Sequence, residues 1–254
     1  MAEWNDPRTA ADRASGVNPA AATVGVPRAA RDAGLRSYML SVYNYMASGV
    51  LLTGIIALLF APYAADILLS QNGRGMSGLG WLITLSPLAI VFAMSFGMAR
   101  MRTSTLQTLF WAFAGLMGLS MSTLFLAYTG ASIAQTFFAT AAAYLGLSVY
   151  GYTTKRDLSG FGTFLIMGVV GILVAMLINM FLQSSALALG ISAIGVLLFA
   201  GLTAYDTQKI KSVYFAVAGH GEAMAKTAVM GALQLYLDFI NMFLFLLRFM
   251  GDRR

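Results

Sequence analysis

Two aspartates stand where a chain poor in charge has least use for them. Asp206 lies in "GLTAYDTQKI", at the close of a long apolar stretch, and Asp238 lies in "LQLYLDFINM", inside another. A carboxylate near the centre of a bilayer costs about 2.5–3.5 kcal/mol on insertion scales, so each is a candidate for function. Gln234, Asp238 and Asn241 are related by i, i+4 and i+7 and form one polar stripe on a helix otherwise built of Leu, Phe, Ile and Met. Such a helix belongs in the middle of a bundle, its stripe facing a cavity or another polar group. If Asp206 and Asp238 meet, they cannot both ionise cheaply. They share a proton and titrate as a coupled pair. That is a proton-sensitive latch, closed while the proton is shared and reshaped when it leaves or when both groups protonate. The same oxygens can meet a cation in transit. Calcium takes about six to eight oxygen ligands, so Asp206 and Asp238 make a weak metal site, suited to passage rather than storage. Arg100 and Arg102 flank the end of the second apolar run, and Arg100, directly after it, is the better candidate for a counter-charge.

The elements that must position these residues follow from composition. The 254 residues are 59% hydrophobic and 10% charged, whereas a soluble domain carries roughly a quarter charged residues. Too little polar surface remains to cover a globule, so lipid is the solvent for most of the chain. The fold class expected is all-α, a polytopic membrane protein. With no cysteine and a single histidine, His220, there is no disulfide, no thiolate chemistry and no ordinary zinc site to expect. The net charge of +6 fits membrane orientation better than nucleic acid. No phosphate-binding glycine loop and no nucleophile–base constellation is present. The chain is expected to be no enzyme and to need no cofactor.

Seven apolar runs are long enough to span, near 38–61, 79–99, 105–128, 131–151, 162–182, 186–206 and 229–250. Pro62 stops the first, and "SQNGRGMSG" from Ser70 to Gly78 reads as a loop. Residues 1–36 are rich in Ala, Pro and charge and read as a disordered basic tail, leaving residues 37–254 as the transmembrane domain. No cleaved signal peptide is apparent, so the first span is expected to serve as the insertion signal. With the amino terminus in the cytoplasm, twelve Lys and Arg fall on the inner side and four on the outer, which favours that orientation. Small residues at spacings of three and four, Gly115, Gly118 and Ser122 in the third span and Gly168, Gly171 and Ala175 in the fifth, point to close helix packing.

The segments "GLSMSTLFLAYTGASIAQTFFATAAAYLGLSVYGYTTKRDLSGFG", "NMFLQSS" and "GLTAYDTQKIK" resemble the bacterial branch of the Bax inhibitor family, whose members carry the transmembrane Bax inhibitor motif. The resemblance runs over roughly residues 35–252. It implies a seven-helix bundle with the last helix central, in the bacterial inner membrane. It also implies an aspartate pair on the sixth and seventh helices, here Asp206 and Asp238, that senses pH and gates a calcium leak. An arginine on the second helix steadies the pair in some members, and Arg100 corresponds by position. Some bacterial relatives bind and restrain a membrane-anchored ATP-dependent protease, so a non-conducting regulator with that partner is the alternative. An intramembrane aspartyl protease would also use two aspartates, one in a Tyr-Asp context like Tyr205–Asp206. Its second aspartate sits in Gly-x-Gly-Asp, however, and here the residues are Leu235, Tyr236, Leu237 and Asp238.

Overall fold

The computed structural model describes residues 28–70 and 75–254, with side chains from Arg31 onward. The expected tail up to residue 27, and Arg74 of the orientation count, lie outside the described residues. Residues through Ser37 form one unit and Tyr38–Arg254 another, which holds the bundle.

The described chain is helical throughout: α1 (Arg28–Phe60), a 3-10 turn (Ala61–Tyr63), α2 (Ala64–Leu68), α3 (Gly78–Gly97), α4 (Thr103–Met121), α5 (Leu124–Ala127), α6 (Gly130–Thr153), α7 (Ser159–Leu182), α8 (Ser185–Val217) and α9 (Gly221–Met250). Seven segments are long and apolar enough to cross a membrane: Arg31–Leu68, Gly78–Gly97, Thr103–Ala127, Gly130–Thr153, Ser159–Leu182, Ser185–Val217 and Gly221–Met250. Helix α1 begins at Arg28, inside the segment expected to be irregular, because "RAARDAGLR" is made largely of good helix formers. Pro62 ends the regular helix of the first span as expected, and places a 3-10 turn there. The third span is broken at Ser122 and Thr123, whose hydroxyls donate back to the carbonyls of Leu119 and Ser120 at 2.6 and 2.9 Å. Such back-bonding competes with the regular ladder.

The largest departure concerns the sixth span. The apolar run ends near Asp206, but nothing in "TQKIKSVYFAV" breaks a helix before Gly219, whose φ is +89°. Helix α8 therefore continues to Val217, and Asp206 lies eleven residues inside it rather than at its end. Helix α9 likewise starts at Gly221, eight residues before the expected 229.

Helix α9 is the core of the bundle. In its apolar window 67% of residues are buried, against 11–39% in the other six spans. It packs on α8, α6 and α4, while α8 also packs on α6 and α7, and α3 on α4. Leu, Ile, Val and Phe on the outward faces of α3 and α7, such as Leu82, Phe96, Phe164 and Phe181, remain exposed, as lipid-facing side chains must. Of the two small-residue stripes, Gly118 admits the Thr53 carbonyl 2.8 Å from where a Cβ would stand, and Gly168 lies under Leu198. Gly171 faces open space.

Candidate functional site

Helices α8 and α9 run antiparallel, joined by the turn at Ala218–His220. Gly231 packs on Ile210 and Gly195 lies under the ring of Phe245, a register that sets Asp206 opposite Asp238. The rotation of α9 is fixed two residues before Asp238. Tyr236 is fully buried, with its hydroxyl 2.7 Å from Thr53 Oγ1, which itself donates to the Ala114 carbonyl at 2.8 Å. The rings of Phe113 and Phe110 stand edge-on to Tyr236, at 5.0 and 6.4 Å between centroids. Helix α9 is thereby pinned to α1 and α4. Helix α8 is fixed two residues before Asp206, where Gly151 of α6 lets the Ala204 carbonyl approach to 2.2 Å from a Cβ position. One residue on, Gly162 of α7 lies beneath the Tyr205 ring.

The two carboxyl groups meet. Each lies within hydrogen-bonding reach of the other, and Gln234 reaches Asp206 as well. Asp206 is 3% exposed and Asp238 4%. One oxygen of each, Asp206 Oδ1 and Asp238 Oδ2, has no hydrogen-bond donor from outside the pair. Buried polar groups in folded proteins are nearly always partnered, and the described residues hold few exceptions: these two oxygens and the hydroxyls of Tyr38, Ser148 and Thr207. A proton between the two groups would satisfy part of the deficit and link the helices. A second negative charge there would drive them apart. Two carboxylates are the acidic ligands here, and no group of three or more His, Cys, Asp or Glu gathers among the described residues.

The structure brings Gln234 to the pair and keeps Asn241 away from it. Asn241 Nδ2 donates to its own Leu237 carbonyl at 2.8 Å and lines a separate cavity of about 160 Å³ with Arg248. Arg100 is exposed in the turn after α3, and no ion pair joins it to either aspartate among the described residues. The cation that acts electrostatically on both carboxyl groups is Lys209, one turn beyond Asp206. Lys211 takes another direction, donating to the Tyr152 carbonyl at 2.7 Å with its ammonium 5.0 Å from the Tyr152 ring centroid. His220 is exposed at the start of α9.

Two further features lie near the pair. Tyr144 of α6 is buried, feels the charge of both aspartates, and its hydroxyl donates to the Leu235 carbonyl at 3.4 Å. It belongs to a buried row, Ser132, Thr136, Thr140, Tyr144 and Ser148, in which each residue follows the last by four. That spacing was visible. The second feature is the "YGYTTKRDLS" turn between α6 and α7. Gln208 accepts from the Leu158 amide at 2.9 Å and donates to the Arg156 carbonyl at 2.8 Å. Asp157 accepts from the Ser159 hydroxyl and from the Ser159 amide, the latter at 2.9 Å, and these bonds hold its carboxyl below the usual carboxylate range. The "YDTQK" segment thus holds the turn shut while presenting Asp206 to α9. Gln208→Ala should free the turn, and limited trypsin digestion should then cut after Lys155 or Arg156 several times faster than in the unmodified protein. Equal rates would contradict this role for Gln208.

Comparison with known proteins identifies the family. The family model described as "Inhibitor of apoptosis-promoting Bax1" matches residues 35–254. A Rickettsia prowazekii protein of uncharacterized function is 48% identical over 88% of this chain and 92% of its own length. A Caulobacter vibrioides protein is 45% identical over 88% and 91%. The inner membrane protein YbhL of Escherichia coli is 45% identical over 87% of this chain and 94% of its own. With its seven spans and central last helix, this chain belongs to the Bax inhibitor family.

Proposed function

We propose that this protein is a pH-gated cation leak of the bacterial inner membrane, with calcium as the transported ion and the amino terminus in the cytoplasm. The observation that carries the reading is the Asp206–Asp238 pair, two buried carboxyl groups on adjacent helices with an unpartnered oxygen each. A pair kept for gating needs spare bonding capacity, because its bonding must change as protons come and go. With one shared proton the helices are linked and the path is closed. Losing that proton leaves two like charges, and adding a second removes the ionic bond, so either change loosens α8 from α9. The carboxylates serve as a transient site for the passing cation, the protein takes no catalytic part, and it carries no resident cofactor. The similarity to an inner membrane protein supports the location, and the lysines at the α6–α7 and α8–α9 ends support the orientation.

The test is calcium entry into liposomes holding the purified protein, across pH 5 to 8. Flux above empty vesicles is expected, lowest where the pair holds one proton and higher on either side. Folded protein with no flux at any pH would refute the leak and favour a non-conducting regulator of a membrane-anchored ATP-dependent protease.

A further inference from the structure

Beside the carboxyl pair, between α1, α3, α8 and α9, lies a cavity of about 330 Å³, room for on the order of ten water molecules at about 30 Å³ each. Its walls carry Val, Met, Ile and Leu side chains, but also Tyr38, Ser95, Thr227, Gln234 and Lys209. Tyr38 is 4% exposed; Thr227, also on the wall, is the side chain within reach of its hydroxyl, and no full hydrogen bond forms between them. A phenol at that depth, opening on a space of this size, calls for water. Neither carboxyl lines the cavity. Gln234 does, and its amide also reaches Asp206, so it touches both cavity and pair. Lys209 is the charged side chain on the wall. It is among the residues lining the space, and its ammonium lies 6.0 Å from the Tyr205 ring centroid and acts on both carboxyl groups.

We infer that this cavity is a water-filled vestibule leading to the Asp206–Asp238 pair, and that Lys209 is a tethered cation which holds mobile cations out of it. The gating part of the inference rests on the leak proposed above; the vestibule part does not. A fixed positive charge between entering calcium and the carboxylates raises the barrier to entry through simple repulsion, strengthened by the low-dielectric walls. Lys209 is a positioning residue in this scheme. It sets how often the pair meets a cation and takes no proton step itself.

The chain contains no cysteine, so Lys209→Cys introduces a single thiol at an exposed position that the packing does not need. Charged, water-soluble methanethiosulfonates are expected to modify Cys at 209 readily, while Cys in place of the lipid-facing Leu197, which is 71% exposed, resists them. Calcium flux through Lys209→Cys should exceed that of the unmodified protein about tenfold, the factor set by roughly 1.4 kcal/mol of barrier. The aminoethyl reagent, which restores an ammonium on a stem of similar length, should bring flux back to within about twofold of the original. The methyl reagent should leave it high, and Lys209→Arg should behave as the unmodified protein. Failure of charged reagents to reach position 209 would overturn the vestibule whether or not the protein conducts. Equal flux after aminoethyl and methyl modification would overturn the gate and leave the leak standing. No flux from any version would overturn both the leak and the gate, with the labelling still deciding the vestibule.

Discussion

Asp238→Asn is expected to make the leak insensitive to pH between 5 and 8, and at the same time to raise the thermal midpoint of the solubilised protein at pH 8. Both effects come from one cause. In the native chain two acids share a buried position and one oxygen of each is unpartnered. Asn has nearly the shape of Asp and can donate an amide hydrogen to Asp206, but it carries no charge and takes up no proton. Removing one of two like charges from a desolvated position relieves a cost of about 1–3 kcal/mol, and at about 2–4 °C per kcal/mol for a chain of this size the midpoint should rise by several degrees. Stability gained together with response lost is the pattern of a site held against packing preference. An Asp kept only as a packing hydrogen bond would behave oppositely, with a lower midpoint and no change in any pH profile. Differential scanning fluorimetry at pH 8, run beside the flux assay, separates the two.

Gly151→Val is expected to give the largest loss of stability among substitutions outside the pair. A Cβ at residue 151 would lie 2.2 Å from the Ala204 carbonyl oxygen and 2.9 Å from its carbon. These are backbone atoms of a long helix, so no side-chain rotation can relieve the clash, and α6 must part from α8. Overpacking of this kind costs about 3 kcal/mol or more, which corresponds to a fall in thermal midpoint of about 10 °C. Because Ala204 is two residues from Asp206, the displacement should also spoil the meeting of the carboxyl groups and blunt the pH response. Gly151→Ala should show a smaller loss in the same direction. Gly171→Ala, where nothing lies within 4 Å of the new Cβ, should be neutral or slightly stabilising, since it removes a helical glycine. A Gly151→Val protein as stable as that control would show that α6 and α8 do not depend on this approach.

The seven spans were legible because lipid imposes one length and one composition on all of them, and each apolar run satisfied both. Their ends were not, because hydropathy reports where lipid stops and not where a helix stops. Lys209 and Lys211 closed the apolar run while α8 went on to Val217, and this hid how deep Asp206 lies. Gln234, Asp238 and Asn241 all lie on α9, yet only the first two meet Asp206 of α8. Asn241, one turn further on, bonds its own backbone. The choice of counter-charge depended on tertiary placement that periodicity does not carry. Arg100 lies in the turn after a helix that packs mainly on α4, whereas Lys209 shares a helix with Asp206 and lies one turn away. The row from Ser132 to Ser148 went unread because serine and threonine cost little in lipid and attract less notice than a charge, although their regular spacing of four marks a buried face. The clamp by Gln208 explains why "YGYTTKRDLS" and "YDTQ" occur in one chain: the second segment holds the first.

The central claim is that Asp206 and Asp238 act as one proton-sensing unit. Calcium flux into liposomes across pH 5 to 8, measured for the unmodified protein, Asp206→Asn, Asp238→Asn and the double substitution, tests it most directly. Residues that work as a unit are non-additive, so each single substitution should flatten the profile and the double should add nothing further. A single substitution that keeps the original pH profile, or a double whose loss is the sum of two partial ones, would contradict the shared-proton gate.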